Sequence, residues 1–272
     1  MSGFTLRDVR EQTYKSRDAW WTVFLVDPLA GPLVVGVANR TRITPNQITW
    51  GAFLLGLGSA GCFLAGDLVA GAILYHLSFV LDCVDGKIAR LKGTGTVLGG
   101  WLDYVFDRIR VLTCALALMW GMFQSTGQEF YLVLGVLVVF LDMLRYVDAL
   151  QVAKVRREMR RRLAEANGEP LPETEQVDLQ QHFRSRFGWY IRIRDWLRDH
   201  RIRAHLVSGI EFQMAVFIIG PLTGLIAPVT LVAAALLLVF ELAIMFKLWM
   251  SSRDLTRELA RLRERVSVTG TA

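Results

Sequence analysis

Residues 68–91 read LVAGAILYHLSFVLDCVDGKIARL. Up to Leu81 the run contains no Asp, Glu, Lys or Arg, and then Asp82, Asp85, Lys87 and Arg90 follow in close order. A stretch of this length suits a helix crossing about 30 Å of hydrocarbon, which takes about 20 residues. Ionisable groups within such a helix cost on the order of 2.5–3.5 kcal/mol each, so acids placed there point to function. On a helix, Asp82, Asp85, Gly86, Ala89 and Arg90 are spaced by three or four and form one stripe.

Working outward, comparable apolar runs recur along the chain, and six spans are expected at 45–65, 68–91, 97–123, 129–150, 205–226 and 228–250. Gly66-Asp67, Gly93-Thr94-Gly95, Ser125-Thr126-Gly127 and Pro228 supply turn or helix-start chemistry between them. Short turns make neighbouring spans antiparallel. The 272 residues are 53% hydrophobic, above the roughly 45–50% of soluble domains. The formal net charge of +6 comes from Lys and Arg that avoid the apolar runs, which argues for membrane topology and against a nucleic-acid partner. Cations cluster before the first span, near 87–92, in 151–204 and after 247, and are missing near 66–67, 124–128 and 224–228. The positive-inside rule then puts both termini and the acidic site on the cytoplasmic side.

Residues 19–38 are apolar but interrupted by Asp27, Pro28 and Pro32, which suits an interfacial helix with Trp20 and Trp21 at headgroup depth. The expected fold is all-α integral membrane, with six transmembrane helices and an N-terminal interfacial amphipathic helix. Its parts are a cytoplasmic arm and interfacial helix over 1–42, a catalytic membrane domain over 43–250 with a cytoplasmic connection at 151–204, and a cytoplasmic tail at 251–272. Residues 151–166 extend the fourth helix, NGEPLPETEQ at 167–176 is a polar linker, and 184–203 with Trp189, Tyr190 and Trp196 is a second interfacial stretch. Arg7, Arg10, Lys15 and Arg17 stand among acids and aromatics, unlike a cleavable signal, so the chain is expected to keep its start. Cys62, Cys83 and Cys114 have neither disulfide nor zinc spacing.

On the third span, Gly99, Asp103 and Asp107 form a second stripe, and the short turn allows it to face the first. Four carboxylates in a low dielectric require a counter-ion, and hard oxygen donors select Mg²⁺, Mn²⁺ or Ca²⁺. A metal pair serving phosphoryl transfer is the economical reading. Gly86, Ala89 and Gly99 leave room for a base or ribose, and Arg90 can pair with a phosphate. Thr44 and Pro45 read as a helix start, with Asn46 and Thr49 placed as donors to a nucleotide or its phosphate.

From Asp82 to Asp107, the pattern D-x2-D-G-x2-A-R-x8-G-x3-D-x3-D resembles the signature of the CDP-alcohol phosphotransferases at every defined position. ITPNQIT at 43–49 is similar to the start of that family's first span. The resemblance implies that Asp82, Asp85, Asp103 and Asp107 hold two divalent cations, Mg²⁺ or Mn²⁺, and that Asp107 is also the general base. It implies that Gly86, Ala89 and Gly99 line the pocket of a CDP-linked donor, either CDP-diacylglycerol or a CDP-polyol. An acceptor alcohol or polyol phosphate is joined to the distal phosphate, and CMP leaves. The arm ahead of TPN is similar to those of members using CDP-inositol and an inositol phosphate, although lipid synthesis is the preferred expectation. Arg108, Arg145 and Glu211 are acceptor-binding candidates, set against simple ion pairing between helices. His76 reads as a hydrogen-bonded interior residue, and Glu241 has no evident partner. A homodimer is implied by resemblance alone, the small residues around Gly56-Leu57-Gly58 being the one hint of a stripe. The competing reading is a metal or ion transporter using intramembrane carboxylates.

Overall fold

The computed structural model describes residues 3–167, 196–203 and 206–269, with side chains described to residue 260 of the last helix. The polar linker and the Trp189–Tyr190 part of the second interfacial stretch fall outside these residues. Eight principal helices occur among the described residues: α1 Leu6–Thr13, α2 Thr22–Arg40, α3 Pro45–Leu64, α4 Leu68–Lys92, α5 Val97–Thr126, α6 Phe130–Asn167, α7 Gly209–Thr223 and α8 Ile226–Thr269. The first turn of α2 and the middle of α7 are π-helical. No strand is present among the described residues, so the protein is all-α and of membrane character.

Length and composition make Thr22–Arg40, Pro45–Leu64, Leu68–Lys92, Phe130–Ala166 and Ile226–Ala260 long and apolar enough to cross a membrane. This set differs from the expected six. It includes α2, read from sequence as interfacial. It omits α5, whose first half carries Asp103, Asp107, Arg108 and Arg110, and α7, which is apolar but shorter. The last helix also continues past residue 250, through most of the expected tail. Residues 251–269 are rich in Leu, Arg and Glu, good helix formers that propagate the helix beyond its apolar part.

The described residues divide into two compact units, 3–143 with 196–203 and 206–237, and 144–167 with 238–269. In the first, α3, α4 and α5 pack together. Thr44 caps α3 in a reciprocal box with Gln47, with Pro45 in the first turn, as the local sequence leads one to expect. Gly93 ends α4 at φ 64°, a left-handed conformation that glycine adopts without cost. Helix contacts are made by small and hydroxylated residues: Ser59 Oγ donates to Gly71 O at 2.7 Å and Ser78 Oγ to Ala52 O at 2.6 Å. Such close packing and hydrogen bonding replace the hydrophobic drive that lipid cannot supply. Gly56 lies inside this packing, because a Cβ there would come within 2.7 Å of the Arg110 Cγ and Cδ. The small-residue stripe is therefore used within the chain.

The N-terminal segment is fixed by charge. Asp27, in α2, is buried and receives Lys87 Nζ of α4 at 3.1 Å and an Arg201 guanidinium nitrogen at 3.2 Å. Tyr14 donates to Asp27 O at 3.0 Å, and both cations lie over its ring. Beside this cluster, Asp18 N donates to Arg201 O at 2.8 Å and Arg203 N to Asp18 O at 2.9 Å, forming a single parallel bridge. In the second unit, Arg145 pairs with buried Glu241 at 3.3 Å and lies over the Phe240 ring. That pairing supplies the partner for Glu241 that the sequence did not reveal.

Candidate active site

Asp82 and Asp85 project from one face of α4, and Asp103 from α5 across the short Gly93–Thr96 turn. One carboxylate oxygen from each lies within 4.8 Å of the others. Thr96 caps α5 by accepting from Gly99 N at 2.9 Å, which fixes where the second stripe begins. At Gly99 a Cβ would sit 2.7 Å from Asn46 Oδ1 and 2.9 Å from Thr96 Oγ1. The starts of α3 and α5 therefore approach one another at a position that only glycine fills without displacement. Asn46 thus lies beside Gly99, which stands one turn ahead of Asp103 on α5.

The individual placements refine the expected roles. Thr49 Oγ1 lies 2.5 Å from Asp85 Oδ2 and 3.1 Å from Pro45 O, so its hydroxyl is in hydrogen-bonding reach of a carboxylate of the cluster. Gly86 faces the Arg90 guanidinium, which a Cβ would approach to 3.5 Å. Arg90 Nε donates to Thr13 O at 3.2 Å, tying the motif to the end of α1. Ala89 lies on the same α4 stripe, next to the close of the helix at Gly93.

Asp107 stands apart from the other three. Its Oδ1 accepts from Arg110, and its Oδ2 is 3.9 Å from an Arg108 nitrogen. Arg110 also reaches Asp82 Oδ1 at 3.4 Å and Ser78 Oγ at 3.2 Å, and lies 5.9 Å from the Tyr75 ring centroid. Arg108 bonds Asp142, which accepts from Gln213 Nε2 at 2.7 Å, while Tyr75 donates to Gln213 Oε1 at 3.1 Å. A buried polar network thus runs from the aspartates through α6 to α7. Glu211 accepts from Ser208 and lies 3.7 Å from Arg203. Arg145, with Glu241, belongs to the second unit.

The donor set fits a hard divalent cation. It offers three convergent carboxylates, and Asp103 Oδ1 is buried without a hydrogen-bond partner. Buried carboxylates in this number need positive charge, and oxygen ligands suit Mg²⁺ or Mn²⁺.

Membrane-length helices joined to a convergent aspartate cluster define a polytopic membrane protein with an acidic cluster that could hold a cation. Residues 42–176 match the CDP-alcohol phosphatidyltransferase family, and the chain belongs to that family. It is 31% identical over 128 residues to a phosphatidylinositol phosphate synthase of Corynebacterium glutamicum, covering 46% of this chain and 56% of the relative. It is 30% identical over 82 residues to an archaetidylinositol phosphate synthase of Methanothermobacter thermautotrophicus, covering 30% and 42%. A bifunctional IPC transferase and DIPP synthase of Thermococcus kodakarensis is 46% identical over 67 residues, 25% of this chain and 15% of that protein. The chain therefore spans well under two thirds of these relatives.

Proposed function

We propose that this protein transfers a substituted phosphoryl group from a CDP-linked donor to an acceptor alcohol, with an inositol phosphate as acceptor, releasing CMP. The observation that carries the reading is the convergence of Asp82, Asp85 and Asp103 beside the Asn46–Gly99 contact. The names of the relatives support inositol-phospholipid synthesis and give no support to a transporter. CDP-diacylglycerol is the favoured donor over a soluble CDP-polyol.

In the proposed reaction, the acceptor oxygen attacks the phosphorus distal to cytidine. The new P–O bond forms as the bond to the CMP oxygen breaks, and the hydroxyl proton passes to the Asp107 carboxylate. Asp82, Asp85 and Asp103, with Asp107, would hold two divalent cations, Mg²⁺ or Mn²⁺, which neutralise phosphate oxygens when bound. Asn46 and the space at Gly86, Ala89 and Gly99 receive the nucleotide, and Arg90 faces its phosphates. Arg108 is the acceptor-binding candidate closest to the chemistry, since it contacts both Asp107 and Asp142. In the proposed topology α3 to α8 cross the bilayer, α2 lies in the interface, and both termini and the site are cytoplasmic. A homodimer completes the proposal.

The test is CMP release by purified protein given CDP-diacylglycerol or CDP-inositol with inositol phosphate, glycerol phosphate or unphosphorylated alcohols. Release that depends on inositol phosphate, is abolished by EDTA and restored by Mg²⁺ or Mn²⁺, and is lost in a folded Asp107→Asn variant is the expected result. No acceptor-dependent CMP from either donor overturns the reading.

A further inference from the structure

Arg110 lies at a position that the family-like pattern does not define, yet it is the most buried cation of the site, its side chain 3% exposed. The surroundings are built for it. Gly56 clears the path of its aliphatic stem, Ser78 Oγ stands 3.2 Å from one guanidinium nitrogen, and the Tyr75 ring lies 5.9 Å from the guanidinium carbon. Its two terminal nitrogens address Asp82 Oδ1 and Asp107 Oδ1. The three carboxylates that converge, Asp82, Asp85 and Asp103, do so without Asp107. Arg110 thus sits where positive charge is wanted between the two helices, and it holds the fourth aspartate.

We infer that Arg110 is an internal counter-cation that sets the order in which divalent ions enter. The first ion binds at Asp82, Asp85 and Asp103, and the second binds only when Asp107 is released from Arg110. This rests on the metal-site reading above and deepens it. A fixed guanidinium beside the second position repels an incoming cation and competes for the same Asp107 oxygen. Both effects vanish when the charge is removed. Arg108, the other cation facing Asp107, is engaged by Asp142 and lies farther off. Arg110 is therefore a positioning residue, acting through Asp107 and not on substrate.

The test is a Mn²⁺ titration of purified protein without nucleotide, followed by the electron paramagnetic resonance signal of free Mn²⁺. Wild type is expected to bind one ion tightly and a second far more weakly. Arg110→Gln is expected to tighten the second ion by at least about tenfold, a modest share of what a unit charge a few ångströms away exerts in a protein interior. Arg110→Lys is expected to keep the wild-type spacing of the two affinities. A tightening of metal binding is not what simple loss of packing produces. Gly56→Ala is an independent arm, because its Cβ displaces the stem of Arg110 without removing charge, and it should shift the second affinity in the same direction. Two ions of equal affinity in wild type, or an unchanged second affinity in Arg110→Gln, overturn the inference, and the wild-type titration decides even if the variants do not fold. Stepwise binding without CMP release in the functional assay would refute the transferase reading alone. Absence of Mn²⁺ binding overturns both.

Discussion

Replacing Lys87 by Met removes the cation from a pair whose side chains are each 6% exposed and whose charged atoms are 3.1 Å apart. The Asp27 carboxylate stays behind, still near Arg201 at 3.2 Å, but that guanidinium is 32% exposed and lies on a different segment. Leaving a buried charge without its partner costs about 3–5 kcal/mol, and the remaining Arg201 contact places Lys87→Met near about 3 kcal/mol. For a chain of this size each kcal/mol lowers Tm by about 2–4 °C, so the melting temperature should fall by roughly 6–12 °C. Asp27→Leu should cost more, because it strands Lys87, whose other neighbour is the Tyr14 ring 5.5 Å away, and also releases Arg201. The double variant places two apolar side chains in the same volume and should regain most of the loss. Thermal melting of the four proteins in one detergent yields the coupling energy directly. A coupling below about 0.5 kcal/mol, the usual error of additivity, would refute the view that this pair anchors α2 to the motif helix.

Thr49→Val removes the hydroxyl in hydrogen-bonding reach of Asp85. A hydrogen bond to a charged group contributes about 1.5–3 kcal/mol, so Mn²⁺ affinity and CMP release should drop by about 10–100-fold, with Thr49→Ser restoring them. Unchanged metal affinity in Thr49→Val would mean that Asp85 is oriented by something else. Gly99→Ala pushes a Cβ to 2.7 Å from Asn46 Oδ1. The KM for the CDP-linked donor should rise by about tenfold, the value of one lost hydrogen bond, and Asn46→Ala should match it. A normal KM in both variants would remove Asn46 from the donor pocket.

What the sequence made legible was local. The Thr44-Pro45 start of α3, the glycine that closes α4 and the placing of Asp82 and Asp85 on one face of α4 all depend on neighbours along one helix, and the start of α3 and the close of α4 are found where expected. Long-range ion pairs carry no such spacing. Asp27 reads in sequence as an interruption of an apolar stretch, and only folding brings Lys87 and Arg201 to it. Arg110 was visible as a charge following the motif, but its place between Asp82 and Asp107 depends on a gap at Gly56, on another helix. Glu241 likewise gains Arg145 from a different helix. The extent of α8 was missed for another reason: apolar windows mark where lipid is tolerated, whereas helix formation in 251–269 follows from propensity alone.

The contacts of Asp27 also have an order in time. A chain is made and folded from its N-terminal end, so α2 emerges carrying an acid within an apolar helix before any partner exists. Lys87 arrives two helices later, whereas Arg201 lies 174 residues beyond Asp27 and comes only after α6 is complete. Asp27 thus passes from an uncompensated charge to a paired one, and then to one shared between two cations, as synthesis proceeds. The bridge between Asp18 and Ile202 closes at the same late stage. A ribosome-bound chain stopped before residue 201 would hold the aspartate cluster already made, with its N-terminal arm only half secured.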